Sequence, residues 1–249
     1  MTALLALVLL QPTAGAESVT LKVGDVERTA IVYAPPKGKA PVPVVFVFHG
    51  FTGSARQAAF SYRMHEAWKE VVTVYPQGLD VDLLGRTAPG WQVASGLQGD
   101  RDLAFYDALL AKVLKDRHGD PKRVFTCGMS NGAIFSYLLV AKRGATLAGA
   151  ATVGGFAPIG FAAAAPMPLL IVHGKNDDLI RINSAERSRD AALKNNKLSE
   201  TTTEWAPGFV RYGDAKSKTP VVWNAHEGGH EWPTGTSEAI VKFFKSLAG

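Results

Sequence analysis

The chain has 249 residues, 47% of them apolar and 20% charged, so it can bury a core and is not a disordered or low-complexity chain. Its formal net charge is +5, but no Lys/Arg block or basic–aromatic stripe goes with it. The charge therefore reads as a solvated basic surface, and no nucleic-acid partner is expected. The single cysteine, Cys127, excludes an internal disulfide framework and a cysteine-rich zinc site.

Ala3 to Leu10 is a short apolar run, followed by Ala14-Gly15-Ala16. An apolar stretch before a small-x-small site reads as a secretory signal over residues 1–16, cut after Ala16. Residues 17–249 then form one domain, expected to be extracellular or periplasmic. The run is too short to span a bilayer, so no membrane anchor is expected. Met1-Thr2 lacks the usual basic residue of such a leader.

Eight segments read as strands: Ser18–Val23, Val26–Tyr33, Val42–Phe48, Val71–Tyr75, Arg123–Cys127, Ala150–Val153, Pro168–Val172 and Pro220–Asn224. The first two flank the turn pair Gly24-Asp25, which predicts a hairpin. Later runs, apolar on both faces, suit parallel strands buried between helices. Helical spacing predicts helices over Ser54–Lys69, Asp102–Asp116, Asn131–Lys142, Ser184–Lys194 and Ser237–Leu247. This alternation predicts an α/β fold with an eight-stranded, mostly parallel sheet. Residues 77–101 are the least regular stretch and read as a long functional loop. Between Lys142 and Pro168 there is room for one strand and a loop only, which predicts an open cleft without a large lid.

The motif that carries most chemistry is Gly128-Met129-Ser130-Asn131-Gly132, set between a strand pattern and a helix pattern. On such a strand–turn–helix elbow the serine hydroxyl stands exposed, and the flanking glycines remove side chains that would collide. Ser130 is therefore the candidate nucleophile. A base and an orienting acid should follow in the order acid, then histidine. Asp177 lies on the turn after Pro168–Val172, with Asp178 as its rival, and His230 follows the last strand as the candidate base. The expected oxyanion donors are the backbone N–H groups of Asn131 and Phe51. His49 reads as a structural histidine that holds the Phe51 loop, and His226 as structural. Trp91 and Trp232 are candidate substrate contacts, each with a packing alternative. Cys127 reads as an inert core residue.

His226-Glu227-Gly228-Gly229-His230 also matches the H-E-x-x-H pattern of zinc hydrolases. That pattern needs a helix, whereas two interior glycines and Pro233 oppose one here. No metal or other cofactor is expected.

The chain resembles the secreted polyhydroxybutyrate depolymerases and feruloyl esterases of the α/β-hydrolases. The matching pieces are His49-Gly50-Phe51, Tyr75-Pro76-Gln77-Gly78, Arg101-Asp102-Leu103-Ala104-Phe105, the Ser130 elbow, His173-Gly174 with Asp177, and Gly229-His230-Glu231-Trp232-Pro233. The resemblance implies a serine carboxylester hydrolase with Ser130, Asp177 and His230 as triad, acting on feruloyl or acetyl esters of polysaccharide or on hydroxyalkanoate polyester. Lys175, Asn176 and the absence of cysteine pairs depart from the family pattern. A serine peptidase with the same triad, a zinc hydrolase and a non-catalytic polymer-binding module are the competing readings.

Overall fold

The computed structural model describes residues 15–248 apart from Lys37, Lys39 and Leu84. All of the expected leader except Gly15 and Ala16 lies outside the described residues. The strands are β1 (Ala16–Val23), β2 (Val26–Tyr33), β3 (Val42–Phe48), β4 (Val72–Pro76), β5 (Leu79–Leu83), β6 (Arg86–Gly90), β7 (Gly119–Met129), β8 (Gly149–Val153), β9 (Leu169–Gly174), β10 (Thr202–Ala206), β11 (Phe209–Tyr212) and β12 (Val221–His226). The helices are α1 (Ala55–Tyr62), α2 (Met64–Ala67), α3 (Arg101–Arg117), α4 (Asn131–Arg143), α5 (Ile182–Asn195) and α6 (Thr236–Leu247).

The main sheet has the order β1-β2-β4-β3-β7-β8-β9-β12-β11-β10. Its six central strands, β4 to β12 in that order, are parallel. Antiparallel strands close both edges. All eight expected strands lie in this sheet, but the sheet has ten. The additional pair, β10 and β11, is a hairpin at one edge, in which β10 is largely exposed and β11, Phe209–Tyr212, is too short to stand out as an apolar run. Residues 77–101 also depart from the expectation of a loop, because β5 and β6 form a separate two-stranded hairpin there.

Strand alternation divides the core between the two sheet faces. Val45 and Val47 point to one face, where they pack with Tyr62, Met64 and Trp68 of the α1–α2 segment and with Ile240 and Phe243 of α6. Val44, Phe46 and Phe48 point to the other, against Leu103 and Leu109 of α3 and Phe135 of α4. Further along that second face Leu169 and Ile171 meet Tyr137 of α4 and Ala185 and Ala192 of α5. Cys127 is fully buried in the first cluster, and burial pushes its thiol pKa up, so it is inert. Ser54 caps α1 by accepting the Gln57 N–H at 3.1 Å.

Between α4 and β9 the described residues hold only β8 and two single 3-10 turns, Gly144–Thr146 and Phe161–Ala163. The chain ends of β7, β9 and β12 thus reach one edge of the sheet with no inserted domain above them. No helix among the described residues is long and apolar enough to cross a membrane.

Candidate active site

Ser130 sits between β7 and α4 at φ 55° and ψ −121°, a backbone conformation that costs a residue with a side chain about 1–3 kcal/mol. The neighbouring glycines make the turn possible. A Cβ on Gly132 would lie 2.3 Å from the Phe48 carbonyl oxygen, and one on Gly128 would lie 2.5 Å from the Gly132 oxygen. The Ser130 N–H donates to the Val153 oxygen at 2.9 Å, which ties the turn to the end of β8.

The other two candidate residues follow β9 and β12, with β8 between these strands and β7. Asp177 follows β9 and is 3% exposed, while Asp178 is exposed. This difference separates the two aspartates. Asp177 Oδ2 accepts from His230 Nδ1 at 2.7 Å. Its Oδ1 accepts the N–H groups of Leu179 at 2.9 Å and Ile180 at 2.7 Å. The carboxylate is therefore held from both sides. His173 supports it: its Nε2–H donates to the Ile180 oxygen at 2.6 Å and lies 3.5 Å from Asp177 Oδ2.

Gly154 links the pair to the serine turn. A Cβ there would lie 3.4 Å from His230 Nδ1 and 3.8 Å from Asp177 Oδ2. Gly155, the next residue, would place a Cβ 3.2 Å from the Ser130 carbonyl oxygen. Ser130 and His230 are partly exposed, so a hydroxyl and an imidazole reach solvent near the chain ends that also carry the buried Asp177 carboxylate.

On the other side of Ser130 lies the loop after β3. A Cβ on Gly50 would touch Ser130 Cβ at 3.4 Å. Among the described residues the Phe51 N–H has no acceptor within the protein. Asn131 opens α4, where the first N–H groups precede the intrahelical ladder. Both expected oxyanion donors are thus in the two segments that flank Ser130. His49 is fully buried, donates from Nδ1 to the Gly50 oxygen at 2.7 Å and accepts the Gly78 N–H on Nε2 at 3.0 Å. Those partners fit the neutral ring, and burial lowers its pKa. The structural reading of His49 holds.

Trp91 departs from the expectation of a substrate contact. It is fully buried and cannot form a substrate wall. Its ring stacks on Phe135 at 5.3 Å and its Nε1 donates to the His49 oxygen at 3.0 Å. Its own N–H and oxygen are paired with the Asn131 side chain at 2.7 and 3.0 Å. Trp232 is half-buried, stacks on Tyr62 at 4.2 Å and 16°, and donates from Nε1 to Ser237 Oγ at 3.1 Å. Phe156 and Ile159 are exposed beside a hollow of about 370 Å³ that residues 156–162 form with α5, and none of Ser130, Asp177 and His230 lines it.

The segment His226 to His230 is the end of β12 followed by bends, not a helix. His226 Nδ1 accepts the Gly228 N–H at 3.1 Å, and burial lowers its pKa. Among the described residues no group of three or more His, Cys, Asp or Glu side chains is placed to share a metal ion.

Sequence reasoning missed the buried pair Arg28–Asp102. Arg28 Nη2 meets Asp102 Oδ1 at 2.8 Å, and Asp102 Oδ2 accepts the Gln92 N–H at 2.9 Å. This pair anchors the stretch that carries Trp91. Nothing in the pattern around Arg28 marks a partner so distant in sequence. Lys175 and Asn176, the departures from the family pattern, tie the Asp177 turn to Glu227: Lys175 Nζ pairs with its carboxylate, and Asn176 Nδ2 donates to its backbone oxygen at 2.6 Å.

The six-stranded parallel core with the serine elbow at its edge is an α/β-hydrolase fold. An acetyl xylan esterase from Aspergillus awamori superposes with a TM-score of 0.71 over 92% of this chain and 99% of that one, at 13% identity. An S-formylglutathione hydrolase from Agrobacterium tumefaciens gives 0.68 over 95% and 98%, at 15% identity. Residues 29–203 match the dienelactone hydrolase family, and the chain belongs to it. Feruloyl esterase C of Emericella nidulans is 26% identical over 175 residues, 68% of this chain and 60% of its own. The bifunctional acetylxylan esterase/xylanase XynS20E of Neocallimastix patriciarum is 27% identical over 162 residues, 64% of this chain and 23% of its own. The chain therefore spans less than two thirds of the length of these two relatives.

Proposed function

We propose that the protein is a serine carboxylester hydrolase. The observation that carries this reading is the 2.7 Å His230–Asp177 pair beside a serine held at positive φ on a strand–helix elbow. Ser130 Oγ attacks the ester carbonyl while His230 Nε2 takes its proton. Asp177 holds the ring in the tautomer that donates from Nδ1 and stabilises the imidazolium. The Phe51 and Asn131 N–H groups receive the charge that develops on the carbonyl oxygen. His230 then protonates the leaving alcohol, and water repeats the cycle on the acyl-enzyme.

The substrate class proposed is a feruloyl or acetyl ester of plant polysaccharide, supported by the names of the two relatives above. Hydroxyalkanoate polyester is the second class within the same chemistry. Residues 1–16 are proposed as an export signal ahead of a secreted catalytic domain over 17–249, on the strength of the apolar run and the Ala14-Gly15-Ala16 site. N-terminal sequencing of the exported protein should begin at Glu17.

A serine-directed aryl phosphonate should abolish ester hydrolysis and leave its mass on the peptide that contains Ser130, while a chelator leaves activity intact. Activity lost to the chelator and spared by the phosphonate would overturn the serine reading in favour of a metal-dependent one. Methyl ferulate, acetylated xylan and hydroxybutyrate oligomers, compared by kcat/KM, rank the ester classes.

A further inference from the structure

Beside the His230 turn, on the α1–α6 side of the sheet, lies a groove of about 530 Å³ that the reaction above does not use. Its aromatic lining is the half-buried Trp232, backed by the buried Tyr62 on which it stacks. That stack is rigidly held, because Ser237 Oγ accepts from Trp232 Nε1 and donates to the Tyr62 backbone oxygen. The rim carries Arg63, Glu66, Glu238 and Thr234. Arg63 Nε and Glu66 Oε2 are paired at 3.0 Å, whereas Glu238 is exposed and has no hydrogen-bond or ion-pair partner among the described residues. Trp232 stands two residues from His230, so its Cα lies within about 8 Å of the His230 Cα.

We propose that this groove is a subsite for a neutral sugar unit of the polysaccharide that bears the ester. The chemistry of the rim decides between the two polymer classes. Carboxylates only accept hydrogen bonds and guanidinium groups only donate them. A sugar hydroxyl does both, so one pyranose can donate to Glu238 and accept from Arg63 while its apolar face lies on the aromatic lining. A polyester offers acceptors alone, and Glu238 would receive nothing from it. The inference rests on the ester-hydrolase reading only for the ester itself, since sugar binding needs no chemistry at Ser130.

Calorimetric titration of the full chain with unesterified xylohexaose tests the subsite independently of activity. Wild type should bind, and Glu238→Ala should weaken binding about tenfold, the loss of one hydrogen bond to a charged group. Glu238 is at the surface, so an unchanged melting temperature shows that the variant is folded; Trp232→Phe is a second variant, also expected to bind more weakly. No binding by wild type, equal affinity in Glu238→Ala, or tighter binding of a hydroxybutyrate tetramer than of xylohexaose would overturn the subsite. Failure of the ester-hydrolase reading would show instead in the phosphonate experiment and leave the titration unaffected.

Discussion

The two flanks of Ser130 are built differently. On the Phe51 side the contacts are buried: His49 is hydrogen-bonded on both ring nitrogens, Trp91 is enclosed and doubly paired with Asn131, and Arg28–Asp102 anchors the stretch behind them. On the His230 side Asp177 is buried, but the turn that carries His230, the proposed base, is tied by exposed contacts from Lys175 and Asn176 to Glu227. Buried, fully paired polar networks hold one geometry, whereas exposed ion pairs contribute about 0–1 kcal/mol. This division suits the proposed chemistry. Oxyanion donors stabilise charge only if they are in place beforehand. A general base must exchange protons with solvent and let the alcohol leave.

The comparison can be broken most severely at the buried ion pair. Asp102→Ala leaves Arg28 charged and unpaired, and should cost about 3–5 kcal/mol in urea unfolding. Asn131→Ala comes next. It strips the partners from the buried Trp91 N–H and oxygen, and should cost about 2–4 kcal/mol. Because the same segment presents a proposed oxyanion donor, kcat for ester hydrolysis should fall with it.

His49 provides a pH-dependent test. Burial lowers its folded pKa below the ordinary 6.5, so as pH falls past that value the unfolded chain takes up a proton that the folded chain does not. Its contribution is present above pH 6.5 and is lost as pH drops toward the folded pKa. Melting temperature should therefore decline between neutral pH and about pH 5. A flat profile would show that the neutral ring does not matter there. The smallest effect belongs to the exposed flank: Lys175→Ala should change stability by less than about 1 kcal/mol, and any drop in kcat should be modest. A loss comparable to that of Asp102→Ala would erase the distinction between the flanks.

The eight expected strands were legible because each is a compact apolar run, and the long helices because their apolar residues recur at three and four. Thr202–Ala206 escaped because an edge strand with exposed Thr202, Thr203 and Glu204 lacks such a run. The β5–β6 hairpin did leave a signal, since Leu79-Asp80-Val81-Asp82-Leu83 alternates strictly before the Gly85 turn. At the candidate site, local turn context and chain order singled out Ser130, Asp177 and His230, and the contact between the last two is present. The enclosed position of Trp91 was not, because it depends on an Asn131 side chain and an Arg28–Asp102 pair that only the tertiary fold brings together.

Everything in the proposed reaction depends on Ser130 as the nucleophile. The direct measurement is hydrolysis of p-nitrophenyl acetate by purified Ser130→Ala, with an unchanged melting profile as the folding control. If Ser130 is the nucleophile, kcat falls by at least about a thousandfold. Hydrolysis at the wild-type rate by the folded variant would contradict it.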